Sequence, residues 1–411
     1  VVTPLDVDAI RARFPALSRE ENGHRLAFLD GPGGTQVPES VIEAMRGYLA
    51  RGNSNLGGAF GPSREAEQVE ADARGAVADL LGAAPTEVVF GQNMTSLTFS
   101  MSRALAREWR SGDSVVVTRL DHDANVSPWR LAAADRGAAV IVADLDPADV
   151  TLDLSSLDRA LATRPRLVAV TAASNAVGSV TPVAEIVARA HAAGALVYVD
   201  AVHHSAHRVG DLHGWDADFI AASAYKFFGP HTGVLVAKAE HLERLDPYKV
   251  TPAPDRGPAK WETGTQSFES LAGVTAAIDH LASLGEGDTR RARLTSAFAR
   301  IRGHEESLTA RFLAGVADIR GIRIHGITDP DRLGDRVSTF ALDVDGVQPR
   351  EVARRLGERG LLVWDGHYYA IAVMERLGLL ESGGLTRIGF VHYTAPDEVD
   401  RTLDALADVV A

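Results

Sequence analysis

Cysteine is absent from all 411 residues of this chain. That excludes disulfides, thiolate metal sites and any mechanism built on a cysteine nucleophile. Positive charge is scarce as well: 42 Lys and Arg stand against 55 Asp and Glu, a formal net charge of −13. A chain so balanced lacks the basic face that nucleic acid or an anionic membrane would need, so neither is expected as a partner. No apolar run is long enough to span a bilayer, and the first residues show no basic-then-apolar leader pattern. A cytoplasmic protein is expected. What remains is ordinary globular composition, 45% hydrophobic and 24% charged, in a length that suits two domains rather than one.

Along the chain, short apolar runs alternate with helical spacing. Residues 39–51 and 63–82 place apolar side chains at helical intervals, and a helix is expected from about Thr95 to Trp109. Between helices lie Val88–Phe90, Ser114–Thr118, Ala139–Val142, Leu167–Thr171 and Leu196–Val199, then Phe219–Ala222 and Gly233–Ala237. Such near-continuous apolar strands alternating with helices predict an α/β fold around a buried, mostly parallel sheet. After a turn-rich stretch at Pro247–Pro258, a long helical segment is expected from about Ser270 through Ala314. Ile322–His325, Val337–Leu342, a helix at Arg350–Arg359, Leu361–Trp364 and Arg387–Phe390 then predict a smaller α+β unit.

One pair of residues carries chemistry. The strand Leu196-Val-Tyr-Val-Asp200 ends in a carboxylate, and 26 residues later Ser223-Ala-Tyr-Lys226-Phe-Phe-Gly-Pro230 sets a lysine on a short loop. A lysine amine can form a Schiff base with an aldehyde cofactor, and an aspartate can keep a pyridine nitrogen protonated so that the ring accepts electrons. This is the minimum equipment for pyridoxal 5′-phosphate (PLP) chemistry. His203, His204 and His207 also hint at a metal through i, i+4 spacing, but no third ligand stands at a convincing interval, and no metal is expected.

Further motifs follow in order: Arg13-Phe-Pro-Ala-Leu17, Ala27-Phe-Leu-Asp-Gly31, Asp121-His-Asp-Ala-Asn-Val-Ser-Pro-Trp129, Ala173-Ser-Asn-Ala-Val-Gly178, Asp200-Ala-Val-His203, Trp261-Glu-Thr-Gly-Thr265 and Thr386-Arg387. With them the chain resembles, over nearly its whole length, fold-type I PLP enzymes of the class V aminotransferase group. It looks most similar to the cysteine desulfurase/selenocysteine lyase branch. The resemblance implies a mostly parallel seven-stranded sheet in a large domain of residues 20–280. Residues 1–19 and 281–411 would form a small domain, and two chains would share active sites as a homodimer.

It also implies roles. Lys226 would bind the cofactor and act as base at Cα, Asp200 would pair with the ring nitrogen, and His122 would stack over the ring. Asn93, Met94 and Thr95, opening a helix, would hold the phosphate. Ser223 would add a hydroxyl donor, and Thr265 would reach the same phosphate from the partner subunit. Tyr225 would join the cofactor contacts, and Asn175 and His203 would meet the ring's phenolic oxygen or the incoming substrate. Arg387 would clamp the carboxylate of an amino-acid substrate.

The departures from the family pattern matter as much. Desulfurases carry a cysteine on a small-domain loop to take sulfur as a persulfide. Here the matching stretch is Trp364-Asp-Gly-His-Tyr-Tyr-Ala370, with Tyr369 near that position. Tyr225 stands where desulfurases commonly have His, His203 where they have Gln, and Asp123 replaces a second histidine. The expectation is a desulfurase-like lyase without a persulfide step. An aminotransferase, an amino-acid epimerase or a non-catalytic PLP-binding protein stand as alternatives.

Overall fold

A computed structural model describes residues 4–411. Seven strands form its central sheet: β1 (Val88–Gly91), β2 (Ser114–Thr118), β3 (Ala139–Ala143), β4 (Leu167–Thr171), β5 (Leu196–Asp200), β6 (Phe219–Ser223) and β7 (Gly233–Ala237). Their order is β1-β7-β6-β5-β4-β2-β3, and only β7 runs against the rest. The strands read as unbroken apolar runs because both faces are covered. Val115 and Val117 belong to one core, whereas Val116 belongs to the other, as side chains alternate along a strand. Helices α1 (Glu39–Arg51) and α2 (Gly61–Leu81) pack with α6 (Phe268–Ala282) on one face, whose core α5 (Val183–Ala192) shares, and α3 (Met94–Ala106) and α4 (Ser127–Arg136) pack on the other. Strand β3, at the edge, is only partly covered, with Val142 exposed.

A second sheet gathers the C-terminal part: β8 (Ile322–His325), β9 (Thr339–Val344), β10 (Trp364–Gly366) and β11 (Leu385–Gly389), antiparallel in the order β8-β9-β11-β10. Helices α7 (Arg290–Ala317), α8 (Pro349–Gly357) and α9 (Pro396–Val410) share a core with it. The N-terminal Ala27–Phe28 pairs in parallel with Leu361–Leu362, so the first residues fold onto the last part of the chain. The joint between the two sheets runs through Gly178. Its φ is +82°, its carbonyl accepts from Val337 N, and a Cβ there would lie 2.7 Å from the carbonyl oxygens of Val337 and Thr339.

Two expectations need correction. The single helical stretch expected at Ser270–Ala314 is two helices, α6 and α7. The chain turns between them at Gly285, where a Cβ would collide with the α7 backbone at Arg293 and Ala297. The run Leu361–Trp364 is likewise split: Leu361–Leu362 pairs with the N-terminal strand, while Trp364 begins β10.

Candidate active site

Because β1, β2, β4, β5 and β6 run in one direction, their C-terminal ends share one edge of the sheet, where open α/β sheets bind ligands. A cavity of about 420 Å³ lies there. Asn93, Met94 and Thr95 enter it from the turn after β1, His122 from the loop after β2, and Asn175 from the loop after β4. Asp200 ends β5, Ser223 ends β6, and Tyr225 and Lys226 follow in the next turn. The register of β5 sets Asp200 beside Thr171 on one neighbour and Ala221 on the other.

The first turn of α3 is prepared for an anion. Asn93 caps it, accepting from Ser96 N at 2.9 Å, and Met94 N donates to Ser223 Oγ at 3.1 Å. Among the described residues, Thr95 N–H has no hydrogen-bond partner, and its hydroxyl has only a weak contact with Met94 Sδ at 3.9 Å. Both remain for an incoming phosphate, together with the Ser223 hydroxyl hydrogen. Gly233 lies so close to the Asn93 backbone that any Cβ would collide with it, which lets β7 pass directly beneath this turn.

Burial sets the protonation of the central residues. Lys226 is 9% exposed, and its amine donates to the Pro32 carbonyl. Burial, then the nearby Arg387 charge, lower its pKa to about 7, against the opposing pull of Asp200 and Asp30. Asp200 is pushed up to about 6 by burial, while the Val202 N–H at 2.9 Å and Lys226 oppose the shift. Its Oδ1 accepts the Val202 hydrogen, and the other oxygen is left for a donor in the cavity. His122 is lowered to about 4 by burial and by Lys226 and Arg387. Its Nδ1 accepts from Ala124 N at 3.0 Å, so its proton sits on Nε2.

The opposite wall comes from the second sheet. Arg387, 4% exposed on β11, donates from Nη1 to the Asn175 carbonyl at 2.9 Å and lies 4.3 Å from the centre of the Tyr368 ring. Burial lowers its pKa to about 10, still far above neutrality. Among the described residues, Arg387 Nε, Asn175 Oδ1 and Asp30 Oδ1 are buried without hydrogen-bond partners. A strap formed by Trp364–Ala370 closes over it. Asn175 Nδ2 donates to Tyr368 O at 2.9 Å, Asp123 N donates to Tyr369 O at 2.8 Å, and the Tyr369 ring stacks on His122 with centroids 5.4 Å apart. Tyr368 and Tyr369 both adopt positive φ, +52° and +59°, a strained pair held by these tethers.

The cavity thus brings together Lys226, Asp200, His122, Asn93, Met94, Thr95, Asn175, His203, Ser223, Tyr225 and Arg387. It does not include Thr265, which is exposed and accepts from Asn55 Nδ2 at 3.4 Å. His203 and His207 do not converge on an ion site: His203 Nε2 meets Thr339 Oγ1 at 2.9 Å, and His207 Nδ1 meets Glu305 Oε2 at 2.8 Å. Sequence reasoning missed Pro32, whose carbonyl holds the lysine, and Asp30. The Ala27–Gly31 motif was the only signal that could have found them.

This set of donors fits PLP: a helix N-terminus with free hydroxyls for the phosphate, a buried carboxylate for the ring nitrogen, an imidazole above, and a desolvated lysine. The comparisons agree with it. A model of the class V aminotransferase family matches residues 27–402. The chain belongs to the class V aminotransferase family. It is 34% identical over 423 residues to a probable cysteine desulfurase 2 of Mycobacterium leprae, covering 97% of this chain and 96% of that protein. It is 30% identical to a cysteine desulfurase of Dickeya dadantii, covering 97% and 96%. The solved apo structure of the cysteine desulfurase of Thermococcus onnurineus NA1 superimposes with a TM-score of 0.88 at 25% identity, covering 100% of this chain and 99% of that one. As a class V aminotransferase family member of cysteine desulfurase type, the chain is a PLP-dependent enzyme. None of its helices, among the described residues, is long and apolar enough to cross a membrane.

Proposed function

We propose that this class V enzyme is a desulfurase-like lyase. It binds an amino acid by the α-carboxylate, removes the Cα proton and expels a β-substituent, with no persulfide carried on the protein. One observation carries the reading: a buried lysine and a buried arginine face one cavity in a chain that has no cysteine to carry sulfur. Bound PLP supplies the electron-withdrawing ring that makes a Cα–H bond acidic. Asp200 holds a proton at the ring nitrogen, and Thr95 and Ser223 anchor the phosphate. Arg387 lines the cavity and offers its guanidinium to the carboxylate, held in place by the Nη1 bond to the Asn175 carbonyl. Lys226, with its pKa near 7, takes the proton at Cα. The strap, tethered through Asp123 and Asn175, limits water above the reacting carbon.

The family match also supports transamination as a second reading, because the same residues serve it. The two separate on products. Loaded enzyme is incubated with a panel of amino acids that includes cysteine and its S-conjugates, and keto acid, ammonia and the visible band are followed. A lyase releases keto acid and ammonia over many turnovers, whereas an aminotransferase releases keto acid without ammonia and leaves the cofactor as the amine. We further propose a homodimer in which Thr265, exposed and outside its own cavity, completes the phosphate site of the partner.

A further inference from the structure

The turn that carries Lys226 is gripped by a segment from the start of the chain, Pro32–Thr35. Lys226 Nζ donates to the Pro32 carbonyl. On one side of the lysine, the Tyr225 carbonyl accepts from Thr35 N at 3.0 Å and from Thr35 Oγ1 at 3.1 Å. On the other side, Phe228 N donates to the same Thr35 Oγ1 at 2.9 Å. The Thr35 hydroxyl is thus donor and acceptor at once, and it links the backbone on both sides of Lys226. Close packing fixes the segment that brings it there. A Cβ on Gly34 would lie 3.3 Å from Tyr225 Cδ2, and one on Gly33 would lie 2.5 Å from Trp364 Nε1.

The lysine turn needs such a grip. Phe228 has φ +69°, in the left-handed region that a bulky side chain adopts only where its surroundings impose it. Its ring is fully buried and stands edge-on to His392, with centroids 4.2 Å apart, and to Tyr393 at 6.0 Å. Tyr393 Oη in turn accepts from Gln36 N at 3.2 Å, one residue beyond Thr35. The backbone is therefore bent against its preference and kept so by the rings around Phe228 and by Thr35. Thr35 itself does not line the cavity.

We propose that Thr35 is a positioning residue for Lys226: its hydroxyl holds the strained turn so that the lysine amine is presented to the cofactor aldehyde. The inference rests on the reading of the cavity as the PLP site. In the step concerned, the amine nitrogen bonds to the aldehyde carbon and the aldehyde oxygen leaves as water. The turn that would hold the phosphate is bonded through Asn93 and Ser223, not through Thr35. Thr35 therefore governs capture by the lysine and leaves affinity for the phosphate alone.

The test uses the full-length apoprotein and two probes: PLP, and pyridoxine 5′-phosphate, which carries an alcohol in place of the aldehyde. The rate of PLP capture is read by borohydride trapping, with Lys226→Ala as the background. Affinity for pyridoxine 5′-phosphate is read by calorimetry. Thr35→Val keeps the branched shape and the backbone N–H but loses the hydroxyl, which leaves Phe228 N–H unpaired. Capture should slow by about tenfold, the scale of one or two hydrogen bonds, while pyridoxine 5′-phosphate binds as it does to the parent. Thr35→Ser keeps the hydroxyl and should restore the rate. A packing defect would weaken both probes together. Capture at the parent's rate in Thr35→Val, equal losses for both probes, or no rescue by Thr35→Ser overturns the proposal. Should Thr35→Val fail to fold, Thr35→Ala, in which a water can reach the freed Phe228 N–H, decides by the same two readings. A parent protein that takes up neither probe would instead remove the PLP site itself, and the inference with it.

Discussion

Arg387 is locked to Asn175: its Nη1 donates to the Asn175 carbonyl at 2.9 Å, while Asn175 Nδ2 in turn donates to Tyr368 O at 2.9 Å. The Tyr368 ring lies against the same guanidinium. One loop of the central sheet, one strand of the second sheet and the strap thereby hold a cation in place before any ligand arrives. A planar guanidinium preset in this way favours a carboxylate.

Replacing Arg387 by Ala is expected to weaken the binding of amino acids by about 100-fold, the value of a charge-assisted pair of hydrogen bonds. Binding of the corresponding amines, which lack the carboxylate, should change far less. Spectral titration of the loaded protein with both ligand classes checks this. Equal losses would show that Arg387 is not the clamp.

Lys226→Ala should abolish turnover and the visible band of the cofactor. The pH dependence in the parent protein is more diagnostic. An amine attacks an aldehyde only when neutral, and burial lowers Lys226 from the usual 10.5 to about 7. Covalent capture of PLP by the apoprotein, trapped with borohydride, should rise as pH passes through about 7. The stability sign follows from the same shift. Between about 7 and 10.5 the unfolded chain binds the extra proton, so the folded apoprotein gains stability as pH rises across that window. Lys226→Met should flatten that slope in denaturant titrations.

Gly178→Ala tests the joint between the sheets. Position 178 has φ +82°, and the added Cβ would meet the Val337 and Thr339 carbonyls at 2.7 Å. A loss of about 2 kcal/mol or more is expected from conformational strain and overpacking together. Equilibrium denaturation measures it.

Tyr369→Cys should not create a sulfur carrier. The residue's carbonyl is tied to Asp123, its φ is positive, and its ring covers His122 rather than Lys226. Persulfide on that variant should stay at background after incubation with cysteine, as read by cyanolysis. Abundant persulfide would show that only the thiol is missing.

Much of the fold and the heart of the site were legible in the sequence, and the reasons are physical. Strands buried on both faces are written as unbroken apolar runs, so Leu167–Thr171 and Leu196–Asp200 stand out. The strand-end rule then places Asp200, Asn175 and Ser223 together without coordinates. Lys226 follows because its turn must sit at the same edge. Contacts made by backbone atoms were hidden: nothing in the identity of Pro32 announces that its carbonyl receives the lysine. Long-range pairs were hidden too. His207 and Glu305 are 98 residues apart, and neither carries a local pattern that names the other. The break at Gly285 was missed although Gly285 and Gly287 and the cap residue Thr289 mark it, because the helical spacing of apolar residues resumes at once on the far side.

The most direct test of the central claim is a product balance on the PLP-loaded enzyme, supplied with cysteine and a series of cysteine S-conjugates. Keto acid, ammonia and the released sulfur compound are counted per cofactor while the visible spectrum is recorded. The account predicts many equivalents of keto acid and ammonia in equal amounts, one released sulfide (from cysteine) or thiol (from an S-conjugate) for each, and a cofactor that remains joined to Lys226. One equivalent of keto acid without ammonia, with the cofactor left as the amine, would contradict it and make the enzyme an aminotransferase.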